Sequence, residues 1–134
     1  MHKVFPAKID SLHSMLEWIV SCLAGWDRKS VRRVELASEE AIVNIIHHAY
    51  QGRPESIEIS VKTFPKSAEI FFKDHGPPFD PLQRKAPDCS GRLEDREVGG
   101  LGIHFMRQYM DEVRYAREAN CNVLVFVIRS SQNG

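Results

Sequence analysis

Cysteine is scarce in this chain of 134 residues: Cys22, Cys89 and Cys121 stand far apart, and no Cys-x-x-Cys pair occurs. That spacing excludes the common zinc and dithiol motifs, and an odd count without a disulfide framework fits a reducing compartment. Long apolar runs are missing as well. The longest, Val123 to Ile128, falls far short of a membrane span. Lys3, Lys8, Asp10 and Glu17 interrupt any signal-peptide core at the N-terminus. Nor is there an excess of one charge, since 18 Lys and Arg balance 18 Asp and Glu. A nucleic-acid-binding module normally carries a basic stripe. The one basic cluster, Arg28, Lys29, Arg32 and Arg33, is flanked by Asp27 and Glu35 and reads as a solvated helix face. Internal repeats and low-complexity segments are absent too. The expectation is a single soluble, cytoplasmic domain spanning 1–134, with no membrane or direct nucleic-acid partner. Its length suffices to bury a core without disulfides or a structural metal.

What is present is hydrophobic periodicity that changes along the chain. Residues 2–6 fit a short edge strand. Leu12, Met15, Leu16, Ile19 and Leu23 recur at helical spacing, with Asp10 or Ser11 as cap and Gly25 as stop. Ser30 is expected to cap a second helix reaching Ala49, with Val31, Val34, Ala37, Ala41, Ile42 and Ile45 on one face. Ile57, Ile59 and Val61 alternate with polar residues, and Ala68 to Lys73 forms the return strand of a hairpin. A long polar stretch with four prolines follows, from Asp74 to Val98. Unstructured stretches of this length are usually functional or disordered. Gly99 to Gly102 opens a further helix through about Met110, and Asp111 to Arg117 and Asn122 to Arg129 make a final hairpin. Two hairpins imply antiparallel pairing, and amphipathic helices need a sheet face to cover. The pattern predicts an α/β (α+β) two-layer sandwich, with a mixed, mostly antiparallel sheet and helices on one face.

Three groups of residues carry candidate chemistry. Glu40 and Asn44 lie four apart on the second helix and so share a face, with His48 continuing the row. A carboxylate there can act as a base, and an Asn carbonyl oxygen is a hard ligand suited to Mg²⁺. Asp74-His75-Gly76 follows a strand. Its carboxylate can accept a hydrogen bond from an adenine amino group, and its glycine permits close approach of the base. Gly99-Gly100-Leu101-Gly102 opens a helix whose free N–H groups can face an anion. Each group alone is ordinary: a polar helix face, a turn, a flexible loop end. The glycine segment is neither a Walker A motif nor a Rossmann fingerprint. No His-Glu-x-x-His spacing suggests zinc, and Ser38 and Ser90 lack a His/Asp relay.

The order of the three groups is informative. In that order the chain resembles the GHKL (Bergerat-fold) ATPase and kinase superfamily, which uses an N-box, a first glycine box, a lid and a second glycine box. More narrowly, Ser38 to Tyr50 resembles the N-box of bacterial anti-sigma factor serine-protein kinases of the RsbW/SpoIIAB type. Asp74 to Pro81 resembles their first glycine box, and Gly100-Leu101-Gly102-Ile103 with Met110 to Val113 resembles their second.

The resemblance implies ATP and Mg²⁺ as cofactors. Glu40 would be the general base toward a serine hydroxyl, and Asn44 the Mg²⁺ ligand. Asp74 would bind the adenine amine, and Gly76, Gly99, Gly100, Leu101, Gly102 and His48 would complete the nucleotide site. Residues 82–98 would be a lid whose Arg84, Lys85, Arg92 or Arg96 reaches the γ-phosphate. It further implies a sigma factor and a STAS-type anti-sigma factor antagonist as partners, the latter as substrate, and a homodimer. Pro78 stands where the wider superfamily often has a second glycine, which stiffens that loop. Two other functions fit the same motifs: a non-catalytic ATP-gated binding regulator, and a detached histidine kinase catalytic domain. The expected absence of a phospho-acceptor helix pair disfavours the latter.

Overall fold

The computed structural model describes residues 1–50, 55–78 and 106–130. The elements run β1 (His2–Pro6), a 3-10 turn (Ile9–Ser11), α1 (Leu12–Cys22), α2 (Arg28–Asn44), a π-helical turn (Ile45–Ala49), β2 (Ser56–Thr63), β3 (Ser67–Asp74), β4 (Glu112–Glu118) and β5 (Cys121–Arg129). Residues 106–109 are helical, and the N–H of Met110 still bonds back to Met106 O at 3.0 Å.

The five strands form one sheet in the order β1-β2-β3-β5-β4, with β1 and β4 at its edges. All four strand pairings are antiparallel, so the sheet is uniformly antiparallel among the described residues rather than mixed. Strand periodicity explains its two faces. Ile57, Ile59 and Val61 on β2, Ala68, Ile70 and Phe72 on β3, and Leu124, Phe126 and Ile128 on β5 all point into one buried cluster. Met15 and Ile19 of α1, and Val34, Ala37, Ala41 and Ile42 of α2, fill the other side of that cluster. Phe72 and Phe126 meet edge to face at its centre, with centroids 5.2 Å apart. The opposite face carries charge: Lys73 lies 3.9 Å from Glu58, and Arg129 lies 2.6 Å from Glu112. The helices therefore cover one face, as the two-layer pattern requires.

Gly25 ends the α1 segment with φ 92°, a left-handed angle that a glycine adopts without steric cost. The cap of α2 differs from expectation. Asp27, not Ser30, is the cap: its carboxylate accepts the Ser30 N–H at 2.9 Å, and α2 begins at Arg28. Both side chains suit a cap, but Ser30 is buried inside the first turn, and the extended φ/ψ that a cap needs falls at Asp27. The helical run does reach Ala49, through the π turn, closed by the Tyr50 N–H onto Ile45 O at 3.0 Å. The β4–β5 turn holds Ala119 at φ 48° and Asn120 at φ 64°. Two successive left-handed residues are what a tight two-residue hairpin needs to match strand twist.

Candidate functional site

Sheet register brings the site together. One inward-facing row crosses all five strands: Phe5, Ile57, Asp74, Asn122 and Arg117. The row ends the core and is polar from Asp74 onward, where the sheet meets the C-terminal end of α2. A small cavity opens there, about 20 Å³. It is lined by Ala41, Asn44 and Ile45 from the helix side, Asp74, Tyr115, Asn122 and Leu124 from the sheet, and Met106. Apolar walls with a few converging polar groups are the usual make-up of a small-molecule site.

Asp74 is 4% exposed. Its Oδ1 accepts the Gly76 N–H at 2.9 Å, an Asx turn, and the Asn122 Nδ2–H at 2.9 Å. Among the described residues, no hydrogen bond reaches its other oxygen, Oδ2. Burial pushes the Asp74 carboxyl above its ordinary range, against the opposing pull of the Asn122 and Gly76 hydrogen bonds and of the Arg117 and His75 charges. The loop that follows is held from three sides. Asn122 Nδ2 donates to Pro77 O at 2.8 Å, and Arg117 Nη1 donates to Gly76 O at 2.7 Å. The Tyr50 hydroxyl accepts the His75 N–H at 2.7 Å while donating to Ser56 O at 2.6 Å. Burial pushes the Tyr50 phenol up to about 12, so it remains an O–H donor across the neutral range.

Asn44 faces the cavity from α2. Its Nδ2 is buried without a hydrogen-bond partner among the described residues. An orphaned amide costs about 1–3 kcal/mol, and a bound ligand would relieve it. Amide oxygen and nitrogen can exchange places by a flip, so Asn44 can present its carbonyl oxygen to a cation. The Asn44 carbonyl oxygen could hold a Mg²⁺ ion, and the Asp74 carboxylate could accept a hydrogen bond from an adenine amine.

The predicted residues are not all brought together. Asn44 and Asp74 share the cavity. Gly76 is buried beside it but does not line it, and its φ is not left-handed. Glu40 is half-buried one helical turn before Asn44 and does not line the cavity either. Desolvation, then the charge of Glu39, raises its carboxyl above the ordinary range. His48 lies in the π turn, where the four-residue row of an α-helix no longer holds, and its side chain is outside the described residues. Gly99, Gly100, Leu101, Gly102 and the lid at 82–98 also lie outside them. Sequence reasoning missed Tyr50, Tyr115, Arg117 and Asn122. The one available signal was the break in alternation at Asn122, a polar residue at an inward position of an otherwise apolar strand.

Comparison with known proteins places the sequence and the fold. The family model for the histidine kinase-like ATPase domain matches residues 5–128. Serine/threonine-protein kinase BtrW of Bordetella bronchiseptica is 28% identical over 107 residues, which is 79% of this chain and 75% of that protein. Serine-protein kinase RsbW of Bacillus pumilus is 31% identical over 113 residues, 79% of this chain and 68% of that protein. Among solved structures, that of the RsbU and RsbW domains of a Mycobacterium tuberculosis protein superposes with a TM-score of 0.69 at 15% identity. The match covers 97% of this chain and 31% of that longer one. The catalytic domain of histidine kinase ThkA superposes with a TM-score of 0.52 at 13% identity, covering 97% of this chain and 98% of that domain. Fold, cavity and sequence together show that the chain belongs to the histidine kinase-like ATPase domain family.

Proposed function

We propose that the protein is an ATP-dependent protein-serine kinase of the RsbW type. In this reading it phosphorylates a serine of a STAS-type anti-sigma factor antagonist and sequesters a sigma factor when that antagonist is phosphorylated. The observation that carries the nucleotide reading is the shared cavity of Asp74 and Asn44, an acceptor-only carboxylate facing an unpartnered amide. The serine-kinase reading is supported by the names of the relatives and by a carboxylate, Glu40, set one turn from Asn44.

Asp74 Oδ2 accepts a hydrogen bond from the adenine amine, an interaction that a 6-oxo purine cannot offer. Asn44 would hold Mg²⁺, whose charge would offset that of the ATP phosphates. Gly99, Gly100 and Gly102 would offer backbone N–H groups to those phosphates, and Leu101 and His48 would complete the nucleotide site. Glu40 takes the proton of the substrate serine hydroxyl as its oxygen attacks the γ-phosphorus. The bond to ADP breaks and the phosphoryl group moves to serine. Positioning and charge neutralisation do most of the work in such transfers. Desolvation raises the Glu40 carboxyl, which makes it a better proton acceptor. Homodimerisation and a cytoplasmic location accompany this role. Among the described residues, no helix is long and apolar enough to cross a membrane.

The test is phosphoryl transfer from γ-labelled ATP to candidate antagonists encoded beside the gene. Wild type labels a serine, and Glu40→Gln loses transfer by about 10²–10⁴-fold while ATP affinity stays within about threefold. No labelled antagonist, despite ATP binding, would leave a non-catalytic ATP-gated regulator. An acid-labile phosphohistidine product would point instead to a detached histidine kinase domain.

A further inference from the structure

Asn122 lines the nucleotide cavity, yet each of its polar positions is already engaged by protein. Its two N–H groups point at Asp74 Oδ1 and Pro77 O, both at distances normal for a hydrogen bond, 2.9 and 2.8 Å. Its Oδ1 accepts from the Tyr115 hydroxyl and, at 3.3 Å, from Arg117 Nη1. The direction of this amide is fixed by chemistry. Arginine has no acceptor and a proline carbonyl has no donor, so the opposite orientation would set donor against donor and acceptor against acceptor. Asn122 is 3% exposed, and Asp74 is its direct cross-strand neighbour.

We infer that Asn122 is a positioning residue that sets base selectivity without touching the base. By holding Oδ1 of Asp74 from beneath, together with the Gly76 N–H, it fixes the rotamer and leaves Oδ2 as the single acceptor facing the ligand. Such an acceptor rewards a 6-amino purine and repels a 6-oxo purine. Tyr115 acts one step further back, by holding the Asn122 amide in the required orientation. This inference rests on the reading of the cavity as an adenine-nucleotide site.

The experiment measures dissociation constants for Mg·ATP and Mg·ITP with wild type, Asn122→Ala and Tyr115→Phe, with circular dichroism melts on each. Wild type should prefer ATP. In Asn122→Ala the ATP/ITP preference should fall about tenfold or more, the size of a lost hydrogen bond to a charged group. The fall should come from weaker ATP binding at nearly constant ITP affinity. Tyr115→Phe keeps its ring and should shift the preference in the same direction by a smaller factor; it decides the matter if Asn122→Ala does not fold. A preference unchanged within twofold, or an equal loss for both nucleotides, would overturn the role assigned to Asn122 while leaving the adenine site intact. Failure of wild type to bind either nucleotide would overturn the site and the inference together.

Discussion

At Asp74 a carboxylate is buried at the expense of the fold. Its folded-state carboxyl titrates above the ordinary range because desolvation outweighs its hydrogen bonds. The native state therefore holds more protons than the unfolded chain between the two values. Stability from this group is complete below the unfolded value and is lost as pH rises through the folded one. At pH 7 the buried charge is a net cost. Asp74→Asn keeps an Oδ1 acceptor for the Gly76 and Asn122 donors and removes that charge, so its melting temperature at pH 7 should equal or exceed wild type by about 2–4 °C. A clearly lower melting temperature would show that the charge itself holds the loop. Glu40 invites a kinetic test. Its raised carboxyl owes part of its shift to Glu39. Glu39→Gln should move the acid limb of the transfer rate to lower pH, because Glu40 then stays deprotonated further into acid. An unmoved limb would mean that a group other than Glu40 titrates there. Asp74 and Asn44 were legible as candidates from the order of their motifs, although each motif alone is ordinary. Asn122, Tyr115 and Arg117 were not, because their partners lie elsewhere in the chain: Arg117 meets Gly76 across 41 residues, and Asn122 meets Asp74 across 48.

Among the elements, the junctions matter most. The π turn after α2 widens the helix by one residue per turn and delivers Tyr50 to the Asp74 loop. Its phenol joins the end of the Asn44 helix, the start of β2 and the His75 backbone through two hydrogen bonds. Tyr50→Phe should leave the His75 N–H and the Ser56 carbonyl, both partly buried, without this partner, cost about 1 kcal/mol by denaturant melting, and weaken ATP binding severalfold. Unchanged ATP affinity would show that the loop holds without it. The β4–β5 turn offers the opposite sign. Ala119 sits at φ 48°, where a β-carbon is strained. Ala119→Gly should stabilise the protein by about 0.5–1 kcal/mol; a loss of stability would mean that the Ala119 methyl contributes more than its strain costs. Helix and strand identities followed from periodicity, but the exchange of Ser30 for Asp27 as cap did not. Propensity ranks the two side chains about equally, and only the backbone angles, fixed by packing after the Gly25 turn, choose between them.

For the whole molecule, two hairpins and amphipathic helices were enough to foresee a two-layer architecture with one covered face. The placement of β5 between β3 and β4 was not foreseeable, since it depends on which edge of the first hairpin the second one joins. That choice makes the site. With β5 beside β3, Asn122 lies opposite Asp74, and the end of α2 crosses above both. The central claim is that this junction binds Mg·ATP through Asp74 and Asn44. The most direct measurement is calorimetric titration of Mg·ATP into wild type, Asp74→Asn and Asn44→Ala, each checked for folding. The account predicts saturable one-site binding by wild type, an affinity loss of about tenfold or more in Asp74→Asn, and loss of the Mg²⁺ dependence of binding in Asn44→Ala. Equal affinities in all three folded proteins, or no heat of binding in wild type, would contradict it.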